Sequence, residues 1–527
     1  MSTTSRRYAA LAGVTAAAVA IGIAEPVAVL TGPRSAPLVA VGGVVVDAVP
    51  ESLKQLAIDI FGTADKIALL VGTALLLGAF AALLGVLAVR RLALGLAGIA
   101  AFAAVGVAAA LTRAGADAAD ALPSLVGGGL GALVLWLLIA GPLELDPWPW
   151  SPPTPTTVPA APSESAPGEG VDPESRRRFL TGAGVLLGTA TVAGLGGRWL
   201  AGRRGVSAAR EAIRLPAPVA PAPAVPAGAD LSLAQLAPYV TPNFGFYRID
   251  TALVVPQVDP ATWRLRIHGQ VRNERTYTYA DLLARPLVER YVTLACVSNE
   301  VGGDLIGNAR WLGVPLRELL DEVQPEEDAD QVVGRSVDGW TCGTPTAALR
   351  DGRDALLAVG MNGEPLPVEH GFPVRMVVPG LYGYVSACKW VTELELTRFV
   401  DFDAYWVPRG WSVQGPIKTQ SRIDTPRSRN RLTAGPVTVA GVAWAQHRGI
   451  RRVEVRVDGG PWQEAQLAPS VSVDTWVQWS WRWDATPGEH RLQVRATDTT
   501  GETQTERTQG VVPDGATGWH TVTVTVR

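Results

Sequence analysis

Four apolar stretches, Tyr8 to Leu30, Ile67 to Val89, Leu92 to Leu111 and Leu125 to Leu143, each approach the ~20 residues a helix needs to cross ~30 Å of hydrocarbon. Lipid offers backbone amides no water to bond, so stretches of this kind are committed to helices. A fifth run, Thr181 to Leu195, follows Ser175-Arg176-Arg177-Arg178-Phe179-Leu180. Arginines ahead of a small-residue apolar run read as an internal twin-arginine export signal. The plainer reading is a membrane helix flanked by cations under the positive-inside rule. Under the first reading everything downstream folds in the cytoplasm around a cofactor and then crosses through the twin-arginine export machinery.

Arg6-Arg7 and Arg90-Arg91 place the loops they occupy on the cytoplasmic side. The fourth helix then returns inward and brings the Pro/Ser/Thr-rich stretch and Arg176 to Arg178 to the face where an export receptor meets them. The chain thus reads as a four-helix transmembrane region over 1–145, a cytoplasmic linker over 146–174, and the signal with a fifth helix over 175–200. The expected location is the bacterial cytoplasmic membrane, multi-pass, with the downstream domains extracytoplasmic. Asp47 to Lys66 has apolar residues at helical spacing and reads either as an interfacial helix or as a plain loop helix. Charged residues are almost absent from the spans and no His precedes His268, so proton relay and axial haem ligation find no groups there. The region reads as an anchor or a partner-binding surface, and no haem is expected in this chain.

A net charge of -3 offers no basic stripe for phosphates, which sets nucleic acid aside. Cysteine is limited to Cys296, Cys342 and Cys388, each more than forty residues from the next, with no CxxC or CxxCH. That is no disulfide scaffold and no c-type haem site, and the spacing implies that cysteine chemistry rests on one thiolate at a time.

Residues 201–230 form a spacer in which the Ala/Pro alternation of Leu215 to Ala229 predicts an extended, semi-rigid segment. From 231 to 412 strands such as Trp263 to Ile267 and Pro373 to Val378 mix with short helices such as Tyr279 to Ala284 and Pro315 to Val323, an α+β pattern. From 413 to 527, alternating runs at Val437 to Ala443, Arg451 to Val457, Trp476 to Trp483, Arg491 to Ala496 and Thr521 to Val526 predict an immunoglobulin-like β-sandwich. Such a module more often mediates contacts than chemistry. The fold expected is therefore multidomain: an all-α transmembrane bundle, an α+β domain and a β-sandwich.

Cys296 ends the strand-like run Tyr291 to Ala295 and opens Val297-Ser298-Asn299-Glu300-Val301-Gly302-Gly303. A cysteine at a strand end facing a Gly-rich loop suits a soft metal ligand; a buried unreactive thiol is the bland alternative. A cysteine-protease reading with His370 and an Asn lacks any local signature. Asn308 to Leu316, the run Asn362-Gly363-Glu364-Pro365-Leu366-Pro367, His370-Gly371-Phe372-Pro373-Val374-Arg375, Val377 to Gly383 and Lys389-Trp390 complete an ordered set of blocks. Together these blocks resemble the sulfite oxidase family of molybdenum enzymes, from about Tyr239 onward.

The resemblance implies a single molybdenum–molybdopterin cofactor whose metal is ligated by the Cys296 thiolate. It implies cofactor contacts from Asn243, Tyr247, Arg248, His370, Arg375 and Lys389, and a homodimer through the β-sandwich. Arg375 and Lys389 have the chemistry a pterin phosphate needs. Departures from the family pattern bear on the substrate. The arginine expected after the cysteine falls at Val301 beside Glu300, the upstream substrate arginine falls near Asp250, and the tyrosine falls near Trp340. Lost cations and nearby carboxylates disfavour a dianion. The expectation is oxygen-atom transfer with a small S- or N-oxide, with Trp340 walling the pocket and Arg310 and Tyr382 as further catalytic candidates. A sulfite dehydrogenase or oxidase is the alternative, and a non-catalytic cofactor-binding or cell-surface interaction protein is the second. Electrons would pass to a separate cytochrome, quinone-linked protein or flavoprotein.

Overall fold

Glycine and alanine let the apolar helices approach closely. In the computed structural model, which describes residues 3–49, 65–113, 116–145, 173–203 and 205–527, α1 (Thr3–Thr31) packs against α3 (Asp65–Arg90), α5 (Leu122–Ile139) and α6 (Pro173–Arg203). A Cβ added at Gly13 would collide with the Ala81 carbonyl, and one at Gly85 with that of Ala9, so backbone rather than side chain forms the contact. With α4 (Leu92–Leu111), five helices among the described residues are long and apolar enough to cross a membrane. The short α2 (Pro37–Ala48) was not expected from the sequence and, at 12 residues, falls short of a span. Residues 50–64 of the interfacial-helix candidate and 146–172 of the linker lie outside the described residues.

Val206–Asp250 and Val255–Arg527 form the second compact unit, which begins with α7 (Ser207–Ala212). Its α+β part holds two sheets. One runs β2 (Arg275–Thr278), β1 (Arg264–Gly269), β10 (Val391–Thr397), β5 (Gln331–Ser336), β6 (Thr341–Pro345). The other runs β3 (Val288–Ala295), β4 (Ile306–Pro315), β7 (Leu356–Met361), β8 (Glu364–Pro365), with β9 (Arg375–Val377) paired to β7. Among the connecting helices, α8 (Tyr279–Leu283) starts from a capping box between Thr278 and Asp281. In α9 (Leu316–Val323), Leu316, Leu319, Leu320 and Val323 sit at helical spacing and are all buried, and Gln324 ends the helix in the left-handed region.

The β-sandwich pairs the sheet β11 (Gln420–Thr425), β13 (Gly435–Trp444), β17 (Val477–Ala485), β16 (Gln466–Leu467) with the sheet β12 (Arg431–Leu432), β19 (His520–Val526), β18 (Gly488–Asp498), β14 (Ile450–Val457), β15 (Gln463–Glu464). Alternation places Val522, Val524 and Val526 of β19 inside, against Trp479, Leu492 and Val494.

The expected spacer is not a free tether. Ala220 bridges Val288 in parallel, the Val219 amide donates to Leu287 at 2.8 Å, and the Glu289 amide donates to Ala220 at 2.9 Å. The segment thus meets the outer edge of β3 at its start, and Ala229 is fully buried in the core. Proline suits this place, since an edge partner needs only some of its amides to pair.

Candidate active site

Cys296 follows β3 directly. Its amide donates to Leu305 at 2.9 Å and its carbonyl accepts from Asn299 at 3.1 Å, closing the loop 296–305 on itself. The Asn299 Oδ1 accepts the Leu305 amide at 2.9 Å across the same loop. Burial pushes the Cys296 thiol up, while Ser298 hydrogen bonds and the Lys389 charge pull it down. Tyr247 and Tyr382 both sense the Cys296 charge. Burial is the larger cause in each, raising Tyr247 well above the usual phenol range and Tyr382 to about 12. An ideal Cβ at Gly383 would lie 3.7 Å from the Ala295 carbonyl and 3.8 Å from the Tyr247 hydroxyl, which puts Tyr247 and the start of α10 (Gly383–Ser386) beside the cysteine.

Around this thiol the fold gathers the other expected residues. Gly371, with φ near 110°, lets the chain turn so that Arg375 and Lys389 come together: a Cβ there would sit 3.0 Å from the Arg375 Cβ and 3.2 Å from Lys389. The Arg375 guanidinium stacks over Trp311 at 4.9 Å and donates to the His370 carbonyl at 3.2 Å. Burial lowers Arg375 to about 10 and His370 to about 4. His370 is thus neutral near pH 7. Its Nε2 lies 3.1 Å from the Asn243 carbonyl, an acceptor that assigns the ring proton to Nε2. Asn243 in turn accepts from Asn362 Nδ2 at 2.8 Å.

Lys389 is lowered to about 8, burial outweighing the opposing pull of Asp250, which receives the ammonium at 2.7 Å. Arg248 pairs with the same carboxylate at 2.9 Å. This corrects one expectation, because two cations already compensate the Asp250 charge and it cannot act as a bare repulsive group. Glu300 is exposed and Val301 is half-buried.

Two candidates stand apart from the thiol. Arg310 faces Tyr291 across the β3–β4 ladder, whereas Ala295 faces Ile306. Five residues of strand, roughly 16 Å, therefore separate its position from Cys296. Its guanidinium pairs with Glu289 at 3.2 Å, farther still along β3. Antiparallel register thus sets Arg310 away from Cys296, while its amide donates to Asn362 Oδ1 at 2.9 Å and its carbonyl accepts from the Asn362 amide at 2.7 Å. Trp340 lies in the β5–β6 turn, half-buried against the core, with its carbonyl accepting the Ser336 amide at 2.8 Å.

Sequence spacing also misjudged the remaining cysteines. Cys342 and Cys388 are both fully buried, and their thiols interact directly: a hydrogen bond from Cys388 lowers Cys342, and burial raises Cys388. Cys342 stands opposite Gly334, and a Cβ at Gly334 would meet Met376 Sδ at 2.8 Å and Cys342 Sγ at 3.1 Å. No short spacing in the sequence foreshadows this pair.

One accessible thiol, two deeply buried cations held mainly by main-chain carbonyls and one shared carboxylate, and a neutral imidazole form a donor set that fits an anionic pterin carrying a thiophilic metal. A bound anion would relieve the burial that depresses Arg375 and Lys389.

Residues 252–406 match the family model described as an oxidoreductase molybdopterin binding domain, and residues 420–524 match a bacterial Ig domain. Mitochondrial sulfite oxidase of Mus musculus is 32% identical over 287 residues, 46% of this chain and 52% of that protein. Sulfite oxidase of Arabidopsis thaliana is 30% identical over 281 residues, 44% of this chain and 71% of that protein. A Bacillus subtilis protein described as uncharacterized oxidoreductase YuiH is 31% identical over 157 residues, 30% of this chain and 76% of that protein. The chain spans about half the length of the mammalian relatives it matches. It belongs to the sulfite oxidase family of molybdopterin-dependent oxidoreductases, with an immunoglobulin-like domain following the molybdopterin domain.

Proposed function

We propose that this chain carries out two-electron oxygen-atom transfer at an extracytoplasmic site with a small neutral or singly charged substrate, an S- or N-oxide or related compound. Bound in this site, a molybdenum pterin supplies that chemistry; Cys296 is its protein ligand. Arg375 and Lys389 hold the anionic part, aided by Arg248 and by the Asn243–Asn362 pair. Tyr247 and Tyr382 remain protonated across the physiological range and present hydroxyl donors beside the thiol.

The observation that carries the substrate assignment is charge pairing. Two cations on the Tyr382 side of Cys296 each have a carboxylate: Lys418 with Asp514 at 2.9 Å and Arg448 with Asp498 at 2.8 Å. Lys389 and Arg248 share Asp250. A dianion entering here gains less than it would from unpaired cations, whereas a neutral oxide is not penalised. The naming of two relatives as sulfite oxidases favours a second reading, sulfite oxidation.

Purified protein with its cofactor intact, offered sulfite, sulfoxides and N-oxides under oxidising and reducing conditions, separates the two. Turnover of sulfite alone would reject the first reading. Loss of all turnover in Cys296→Ala is expected, and retained turnover with full metal content would reject the thiolate role.

The apolar helices serve as a membrane anchor in this proposal, the Arg176–Arg178 run as the export signal, and the β-sandwich as a dimer contact. The electron acceptor is a separate protein.

A further inference from the structure

The β-sandwich touches the candidate site on both sides of Cys296, and the segment Asp514–His520 contributes to both contacts. Gly302, in the loop that Cys296 opens, has φ near 81°, and a Cβ there would run into the imidazole of His520. That ring is fixed from behind, because the Ile423 amide donates to its Nδ1 at 2.9 Å, which leaves the proton on Nε2. Arg422, held by Asp424 at 2.6 Å, donates to the Gly303 carbonyl at 2.6 Å. A Cβ at Gly518 would lie 3.7 Å from Val301 Cγ2. On the opposite side Gly515 packs against the Tyr382 ring, where an added Cβ would lie 2.7 Å from the hydroxyl oxygen. Lys418 fastens that stretch by donating to Asp514 at 2.9 Å and to the Gly515 carbonyl at 2.7 Å.

We infer that the sandwich segment Asp514–His520 sets the position of the Cys296 loop, with His520 as its positioning residue. The inference deepens the proposed function, since it matters for turnover only if Cys296 is the metal ligand. The physical route is short. The loop 296–305 is closed by its own hydrogen bonds, so a ring seated on Gly302 and a guanidinium on Gly303 limit where Cys296 can move. Arg422 and His520 both come from strands of the sandwich, so a module expected to mediate contacts supplies part of the support of the reacting centre.

The test separates packing from positioning. His520→Asn retains an acceptor for the Ile423 amide but removes the ring from Gly302; His520→Ala removes both. In the full-length protein, amide hydrogen exchange over 299–305 should accelerate by roughly tenfold or more in both variants. Exchange in β11 and β19 should stay at the wild-type rate in His520→Asn. Turnover should fall in His520→Asn with metal content unchanged, and the Mo(V) paramagnetic signal should broaden or shift. Wild-type exchange over 299–305 in His520→Asn, or equal acceleration across the sandwich strands, would overturn the inference. Gly302→Ala, which presses on the same ring, is the second variant and should accelerate exchange in the same loop. Because exchange is read without turnover, it decides the positioning role even in protein that holds no molybdenum, an outcome that would sink the proposed function alone.

Discussion

Lys389 and Asp250 meet at 2.7 Å with their side chains only 10% and 5% exposed, and Arg248 reaches the same carboxylate from the rim. Removing Asp250 strands a buried ammonium, at a cost of about 3–5 kcal/mol, whereas removing Lys389 leaves Asp250 paired with Arg248. Lys389→Met should therefore cost less stability and lower molybdenum content. Asp250→Asn should leave Lys389 uncompensated and weaken the fold without removing a cofactor-facing cation. Metal analysis beside thermal denaturation tells the two apart.

Tyr382 is buried, its hydroxyl 3.5 Å from the Lys418 amide, and it holds its proton to about 12. Tyr382→Phe keeps the ring and deletes one neutral hydrogen bond, so stability should fall by only about 0.5–1.5 kcal/mol. A loss of turnover much larger than that, at unchanged metal content, is the expected result of steady-state kinetics.

The sulfur-lined contact around Gly334 predicts a packing effect. Gly334→Ala places a methyl between Met376, Cys342 and Cys388 and should destabilise by about 1–3 kcal/mol. In native protein freed of cofactor, a thiol reagent should label Cys296 quickly, and Cys342 and Cys388 only on unfolding. Rapid labelling of all three would contradict the burial described.

Acid should weaken the fold through its histidines. Burial holds both His370 and His520 down at about 4, against an ordinary value of 6.5. The unfolded chain takes up protons first as pH falls, so the stabilising contribution is complete above pH 6.5 and is lost on approach to pH 4. Denaturation midpoints between these limits should fall with a slope of up to about two protons. His520→Asn should reduce that slope.

Much of the second unit was legible because local rules and burial agree there. The Leu316, Leu319, Leu320, Val323 spacing and the Val522, Val524, Val526 alternation each name the buried face that the structure shows. The blocks around Cys296, His370, Arg375 and Lys389 pointed to one site, and their charges converge there. What was not legible depends on pairings between distant segments. Nothing in the composition around Asp250 says that Lys389 will neutralise it. Nothing near Arg310 says that strand register carries it toward Glu289. Cys342 and Cys388 meet only because β5, β6 and the chain after β9 are neighbours. His520 lies far along the chain from Gly302, in a module whose sequence suggests contacts rather than chemistry.

The Ala/Pro segment described along β3 has a consequence for how the molecule avoids its neighbours. β3 is the outermost strand of its sheet, and an uncovered strand of this kind invites a foreign chain to continue the ladder. Val219 and Ala220, set between Pro218 and Pro221, pair with that margin at Leu287 to Glu289, and farther along the Asp474 carbonyl takes the outward Thr293 amide. The protein thus closes its own sheet margin from two sides, one of them the stretch whose composition suggests an extended, semi-rigid spacer.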